Sequence, residues 1–374
     1  MKEKNRMYVK YNDQIVGVLA MTDDKKIAFQ YSEEWIKNGF SINPFALPLK
    51  RDVFIPSKNY FDGLFGVFAD SLPDSWGSLL LDRFLQTKNI RLQDITMLDR
   101  LAMIGANGIG ALTYEPEIKY DFQKVNISLD DINEECGKIL ESIPIEKDIL
   151  ESLFILGGSS GGARPKVMIE IEGKHWIVKI SNHIDSPDSG KIEFDYFKCA
   201  KKCGINVPET KLFSSKKTAG YFGIERFDRI GNKKIHSVSV SGLLDIDYRA
   251  PSLDYNELLK LTKIITNDVD TYEMFRRMCF NVFSHNLDDH SKNFSFLYLE
   301  DINCWRLSPA YDLTYSDTYF GEHTTSVNGK AKENSDDDLL KFGINNHLNQ
   351  KKSKEKINNV KTHVNEMLSK YLIK

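Results

Sequence analysis

Asn281 to Phe294 reads NVFSHNLDDHSKNF and gathers two carboxylates, two imidazoles, a lysine and three side-chain amides into fourteen residues. Polar groups at that density do not suit an ordinary core, where each would need a hydrogen-bonding partner. Asp288 and Asn293 stand five apart. That is the spacing of the phosphoryl-transfer loop H-R-D-x-x-x-x-N, where the aspartate accepts the proton of an attacking hydroxyl and the asparagine holds Mg²⁺. Asp312, in LSPAYDLTYS, ends an apolar segment and is a candidate second metal ligand. This spacing arises easily by chance, so it signifies chemistry only if a phosphate-covering loop and a lysine lie upstream.

Candidates for both are present. Gly157-Gly158-Ser159-Ser160-Gly161-Gly162 separates two apolar runs, which we read as strand, loop, strand. Glycines there let backbone N–H groups approach phosphates with no Cβ in the way. Gly158, Ser160, Gly161 and Gly162 are therefore candidate nucleotide contacts; a flexible hairpin loop is the bland alternative. The loop is not a Walker A sequence, because Lys166 is followed by Val167 and no helix follows. Lys179 ends the strand HWIVKIS, in a setting similar to the phosphate-neutralising lysine of V-A-I-K; otherwise it is an exposed strand-end lysine. Glu193 lies early in the helical stretch KIEFDYFKCAKKCGI and either pairs with Lys179 or is solvated. The strand in AGYFGIERFDRIGN ends at Glu225-Arg226-Phe227-Asp228. Its backbone around Glu225 and Phe227 is a candidate adenine-facing hinge, with Asp228 near the ribose. The competing reading is a strand end with a surface ion pair.

The elements that must hold these residues change character along the chain. Residues 7–30 alternate as strands with a turn at Asn12-Asp13, and Trp35 to Phe40 is a short connector. FDGLFGVFADSLPDSWGSLLLDRFLQTK is helical in two pieces, with Pro73 opening the second and Ser71 a candidate N-cap. A helix then stops at Gly105, and the glycines of GANGIG lead into a strand, which marks a tight turn and not a dinucleotide cradle. Residues 116–150 form a polar connector and one acidic helix. From about residue 238 the pattern is mainly helical, and the basic stretch Lys351–Lys356 reads as a solvated helix face, with a phosphate-backbone contact as the other reading.

At 374 residues the chain is long enough for two domains with separate cores. A formal charge of −3 removes global basicity as a pointer to nucleic acid. The five cysteines form no C-x-x-C pair, so we expect reduced, structural thiols and a cytoplasmic protein. MKEKNRMYVK carries no apolar signal segment, and no run is long enough to span a bilayer.

Glycine loop, strand lysine, helix glutamate, hinge strand, Asp-x4-Asn and a second aspartate follow the order of parts in a protein kinase. With FADSLPDSWG, RLAMIGANGIGAL, SSGGARPK, WIVKIS, IERFDR, DDHSKNFS, LSPAYDLTYS and TTSVNGKAKENSDDDLL, the chain resembles the HipA-like serine/threonine kinases, toxins of bacterial toxin–antitoxin modules. The resemblance implies an α+β, two-lobed protein-kinase-like fold: an added N-terminal subdomain (1–120), a mixed α/β N-lobe (121–229) and a mainly helical C-lobe (230–374). It implies ATP and Mg²⁺ as cofactors, Asp288 as base, Asn293 and Asp312 on the metal, Lys179 on the phosphates, and Glu225 and Phe227 on the adenine. Ser159 matches the loop serine that such kinases autophosphorylate, with Ser160 the alternative. His290 and Lys292 match the family loop; Lys292 would steady the transferring phosphoryl group, and His290 reads as a hydrogen-bonded residue, not a base. Asp289 stands where the family often has glycine and competes with Asp288, but only Asp288 gives the step to Asn293. The implied partners are a small DNA-binding antitoxin of the HipB type, DNA through that antitoxin, and a protein substrate such as an aminoacyl-tRNA synthetase, with no membrane. Two rival readings are a catalytically weak, nucleotide-binding corepressor and a metal-dependent hydrolase using His285, Asp288, Asp289 and His290.

Overall fold

The alternation in the first residues builds an antiparallel hairpin, β1 (Arg6–Tyr11) and β2 (Gln14–Met21). Asn12 and Asp13 both take positive φ at its turn, the geometry whose twist matches paired strands. These coordinates are a computed structural model that describes residues 5–119, 127–158, 161–181, 186–318 and 320–372. After β3 (Ile27–Tyr31) come α1 (Glu33–Asn38), α2 (Gly66–Ala69), α3 (Ser75–Thr87), α4 (Met97–Ile104) and β4 (Leu112–Glu115). The sheet order is β3-β2-β1-β4. The expected connector at Trp35–Phe40 is mostly α1, whose start is capped by Ser32. Ser71 is not an N-cap: its hydroxyl shares a 2.8 Å hydrogen bond with that of Tyr114, and Asp74 occupies the cap position of α3. As expected, α4 stops at Gly105.

The second unit runs through α5 (Leu129–Leu140), α6 (Lys147–Gly157), β5 (Lys166–Ile171), β6 (Lys174–Lys179), α7 (Ser189–Lys202), β7 (Thr210–Phe213) and β8 (Tyr221–Glu225). Its strands form an antiparallel sheet in the order β5-β6-β8-β7. Here one expectation fails. LFILGG is the end of α6 and not a strand, so the glycine-rich loop joins a helix to a strand. The apolar residues Leu150, Leu153 and Phe154 fall on one buried helical face together with Gly157, a 3.6-residue period that a short apolar run conceals. The boundary expected at 120/121 lies outside the described residues, and that at 229/230 cuts β9 (Arg229–Ile230).

The remainder follows as β10 (Lys233–Lys234), β11 (His236–Ser239), α8 (Val240–Leu244), β12 (Leu253–Asp254), α9 (Tyr255–Ile265), α10 (Asp268–Ser284), β13 (Ser295–Leu299), β14 (Cys304–Leu307), β15 (Thr325–Ser326), α11 (Asp336–Asn345) and α12 (Gln350–Leu372). The hairpin β13–β14 leads to Asp312 as expected, with β11 on its other side. α12 buries Ile357, Val360, Val364 and Leu368 along one stripe and leaves Lys351, Lys352 and Lys354 in solvent. All five cysteines are unpaired, four of them buried. Among the described residues no helix is long and apolar enough to cross a membrane.

Two cores hold the fold. One is continuous from the N-terminal sheet into the helical lobe. The other lies between α3, α5, α6 and the β5–β8 sheet. The first unit is therefore fastened to both lobes. Gly66 and Gly242 meet so closely that a Cβ on Gly66 would lie 2.6 Å from the Gly242 Cα. Nearby, Asn43 Nδ2 donates to the Gly242 carbonyl at 3.1 Å, and the Phe40 and Tyr298 rings stack with centroids 3.6 Å apart.

Candidate active site

Lys179 ends β6, where alternation buries Trp176 and Val178 on the opposite face. Its ammonium donates to Glu193 Oε1 of α7 at 2.6 Å and to Asp312 Oδ1 beyond β14. Three residues picked from separate stretches of sequence thus meet at one point between the lobes. Burial would lower the Lys179 pKa, but Asp312 and Glu193 outweigh it and hold the lysine charged. Burial pushes Asp312 upward and is overcome by Lys179 and Lys166, which keep it ionised well below the usual carboxylate range. Glu193 is raised by its burial in spite of Lys179. Asp312 takes a positive φ, which Asp tolerates better than most residues. The preceding Tyr311 fastens this turn to the Asp288–Asn293 loop: its hydroxyl donates to the Lys292 carbonyl at 2.6 Å.

The stretch around Asp288 owes its polarity to two different jobs. Asn286 Nδ2 donates to Asn281 Oδ1 at 3.0 Å, Asn281 Nδ2 to the Tyr255 hydroxyl at 2.9 Å, and that hydroxyl to Asp289 Oδ2 at 2.7 Å. Asp289 also meets His323 Nδ1 at 3.0 Å and accepts from the Thr325 N–H at 3.0 Å. Its side chain is 0% exposed, whereas that of Asp288 is 58% exposed. Access separates them: Asp289 is an internal anchor, whereas Asp288 is open to solvent. His290 Nδ1 accepts the Lys292 N–H at 3.2 Å while Nε2 lies 3.9 Å from Asp288 Oδ1, so its imidazole is a hydrogen-bonded support beside the base candidate.

Asn293 Nδ2 donates to the Asp288 carbonyl at 2.7 Å. A carbonyl only accepts, so the contact fixes the amide and leaves Oδ1 for a cation. Asn293 and Asp312 line one small cavity. This oxygen-only donor pair beside two lysines fits Mg²⁺ and a triphosphate. The hydrolase ligands do not converge. His285 Nε2 meets Asp317 at 3.3 Å, and Asp289 is enclosed behind the loop. Among the described residues no three His, Cys, Asp or Glu side chains gather as a metal site.

Gly158 caps the end of α6, and Ser159 and Ser160 lie outside the described residues. Gly162 takes φ +85°, and its N–H donates to Asp74 Oδ2 at 2.8 Å. Lys292 departs from expectation. Its ammonium is bound to Asp74 Oδ1 of the first unit and lies 4.7 Å from the Tyr248 ring centroid. Lys166, which does not complete a Walker A loop, carries no signal in its spacing. It lies under the loop, where a Cβ on Gly162 would come within 2.6 Å of its Nζ. The only signal for it was its place in SSGGARPK; for Asp74, its place in SLPDSWG.

At the expected hinge, Glu225 ends β8, its N–H donating to Glu209 O at 2.9 Å and its carboxylate accepting from Lys174 at 3.0 Å. Phe227 follows, its ring 5.6 Å from that of Tyr311. The ribose contact expected of Asp228 is corrected. Its carboxylate is buried and accepts from Arg226 Nε and Nη2 at 2.9 and 2.8 Å, Arg229 Nη1 at 2.8 Å and the Gly110 N–H at 2.7 Å. With its acceptor sites filled, Asp228 rivets the hinge to the GANGIG turn.

An antiparallel sheet whose lysine pairs with a glutamate of the adjoining helix, set over a helical lobe that presents Asp-x4-Asn and a further aspartate, defines a two-lobed, protein-kinase-like fold. The chain belongs to the HipA-like family: residues 7–115 match the HipA N-terminal domain and residues 158–371 the HipA-like C-terminal domain. A protein named "Putative kinase Y4dM" from Sinorhizobium fredii is 29% identical over 199 residues, 48% of each chain. One named "Putative kinase" from Haemophilus influenzae is 26% identical over 186 residues, 44% of this chain and 54% of that one. The chain thus spans about half the length of the curated relatives it matches. The fold is that of a chain in the Shewanella oneidensis complex of HipA, HipB and operator DNA, with a TM-score of 0.73, 18% identity, and coverage of 98% of this chain and 90% of that one.

Proposed function

We propose that the chain is an ATP- and Mg²⁺-dependent protein-serine/threonine kinase that acts as a growth-inhibiting toxin in the cytoplasm. The observation that carries this reading is the meeting of Lys179, Glu193 and Asp312 across the cleft. Lys179 and Lys166 neutralise the phosphates, the backbone around Glu225 and Phe227 meets the adenine, and Asn293 Oδ1 and Asp312 hold Mg²⁺. The ion, when bound, supplies charge neutralisation at the transferring phosphoryl group. Asp288 orients the acceptor hydroxyl and takes its proton. Partial burial raises its carboxyl, with Asp312 and Asp289 adding to the shift and His290 opposing it; a raised pKa suits a base. Ser159, with Ser160 as alternative, is the proposed autophosphorylation site whose modification turns the enzyme off.

The kinase names of the relatives support phosphoryl transfer, and HipB with operator DNA in the Shewanella complex supports a small DNA-binding antitoxin as partner. A translation-related protein, such as an aminoacyl-tRNA synthetase, is the proposed substrate. The test is labelled Mg-ATP added to cell lysate with the parent protein or Asp288→Ala, followed by identification of the labelled proteins. The parent should label specific proteins, and the variant should be slower by about 10²–10⁴. Labelling at the parent rate by the variant would remove Asp288 from the mechanism.

A further inference from the structure

We infer that Asp74 is a positioning residue: its carboxylate latches the glycine-rich loop and Lys292 to the N-terminal unit, and so holds the loop over the nucleotide. The nucleotide part of this inference rests on the function proposed above.

Asp74 occupies the N-cap position of α3 yet makes no capping bond to that helix, although an aspartate there ordinarily accepts from the second or third N–H. Its oxygens face the other way. Oδ2 accepts the Gly162 N–H at 2.8 Å, and Oδ1 accepts from the Lys292 ammonium. Two residues on, the Trp76 N–H donates to the Gly162 carbonyl at 3.3 Å, so the first turn of α3 grips both backbone polar groups of one glycine. The same carboxylate ties that glycine to the lysine next to Asn293, 218 positions from Asp74. Burial would raise the Asp74 pKa, but Lys292 and the Gly162 N–H outweigh it and keep the acid ionised.

The latch has a firm base. Four residues earlier, at the end of α2, Asp70 accepts the Ser239 N–H at 2.7 Å and the Ser239 hydroxyl at 2.8 Å. α3 shares its core with α6, the helix from which the loop departs.

The experiment uses the full chain as parent, Asp74→Ala and Asp74→Asn. Two quantities are read: amide hydrogen exchange at Gly161 and Gly162 without nucleotide, and equilibrium affinity for Mg-ATP. Loss of a charge-assisted acceptor should speed the loop exchange and weaken Mg-ATP in Asp74→Ala by roughly tenfold each. Asp74→Asn, which keeps an acceptor for the Gly162 N–H, should fall between it and the parent. Unchanged loop exchange in Asp74→Ala overturns the latch. So does exchange that rises equally through α3 and α6, since that reports general loosening. Faster loop exchange with unchanged Mg-ATP affinity overturns the positioning role. A parent that binds no Mg-ATP sinks the proposed kinase function instead, while the exchange comparison still decides the latch.

Discussion

Burial pushes the Lys166 pKa down to about 8, helped by the Lys179 charge and opposed by Asp312, Glu193 and Asp74. A triphosphate favours the charged lysine, so above that pH binding must take up a proton. Affinity for Mg-ATP should therefore fall as pH rises through about 8, by up to about tenfold per pH unit. Lys166→Gln should bind more weakly at pH 7 and lose this slope; calorimetric titrations at several pH values would reveal an opposite or absent slope in the parent. At this scale the sequence was legible where spacing carries meaning. The step to Asn293 singles out Asp288 over Asp289, and the fold encloses Asp289. Lys166 and Asp74 escaped because their roles depend on what lies above them in space: a loop folded back over one, and a lysine from the far end of the chain on the other.

ERFDR was readable as the end of a strand but not as a buried charge cluster, since the residues that complete it belong to the GANGIG turn more than 110 positions earlier. Truncating Asp228 leaves Arg226 and Arg229 enclosed without their counter-charge. Asp228→Ala should lose roughly 3–5 kcal/mol, read as a lower urea midpoint with an unchanged slope. A loss under 1 kcal/mol would mean the cluster relaxes into water. Burial opposes ionisation of Asp228, but the two arginines hold its pKa at about 2, below the unfolded value of about 4. Its stabilising share is therefore complete above about pH 4 and lost as pH falls toward 2. Asp228→Asn should show a shallower acid loss in that window. The helix mistaken for a strand at LFILGG has a related cause: a short apolar run fits either period until its neighbours are counted.

The order of parts along the chain made the two lobes readable from sequence. How firmly the first 115 residues are joined to them was not, because that bond consists of contacts between distant segments. Ile42 O lies 2.8 Å from His236 Nε2, and the Asp245 carboxylate accepts the Gly66 N–H at 2.6 Å. Val238, Val240 and Leu243 of the helical lobe share one core with Val9, Leu19 and Phe68. A fragment starting at residue 127 would expose this face and the α3 side of the second core. It should bind a hydrophobic dye and lose the sharp thermal transition of the full chain. A fragment that melts as cooperatively as the parent would show that the first unit is an accessory.

Equilibrium binding of ATP to the parent, Lys179→Met and Asp312→Ala, with Mg²⁺ and with a chelator, tests whether Lys179 and Asp312 serve one nucleotide. Lys179→Met should weaken binding in both conditions. Asp312→Ala should weaken it only with Mg²⁺, and in chelator should bind no worse than the parent, since the change removes a negative charge from beside the phosphates. An Asp312→Ala effect of the same sign and size in both conditions, or a parent that binds no ATP, would mean that the two residues do not share a nucleotide.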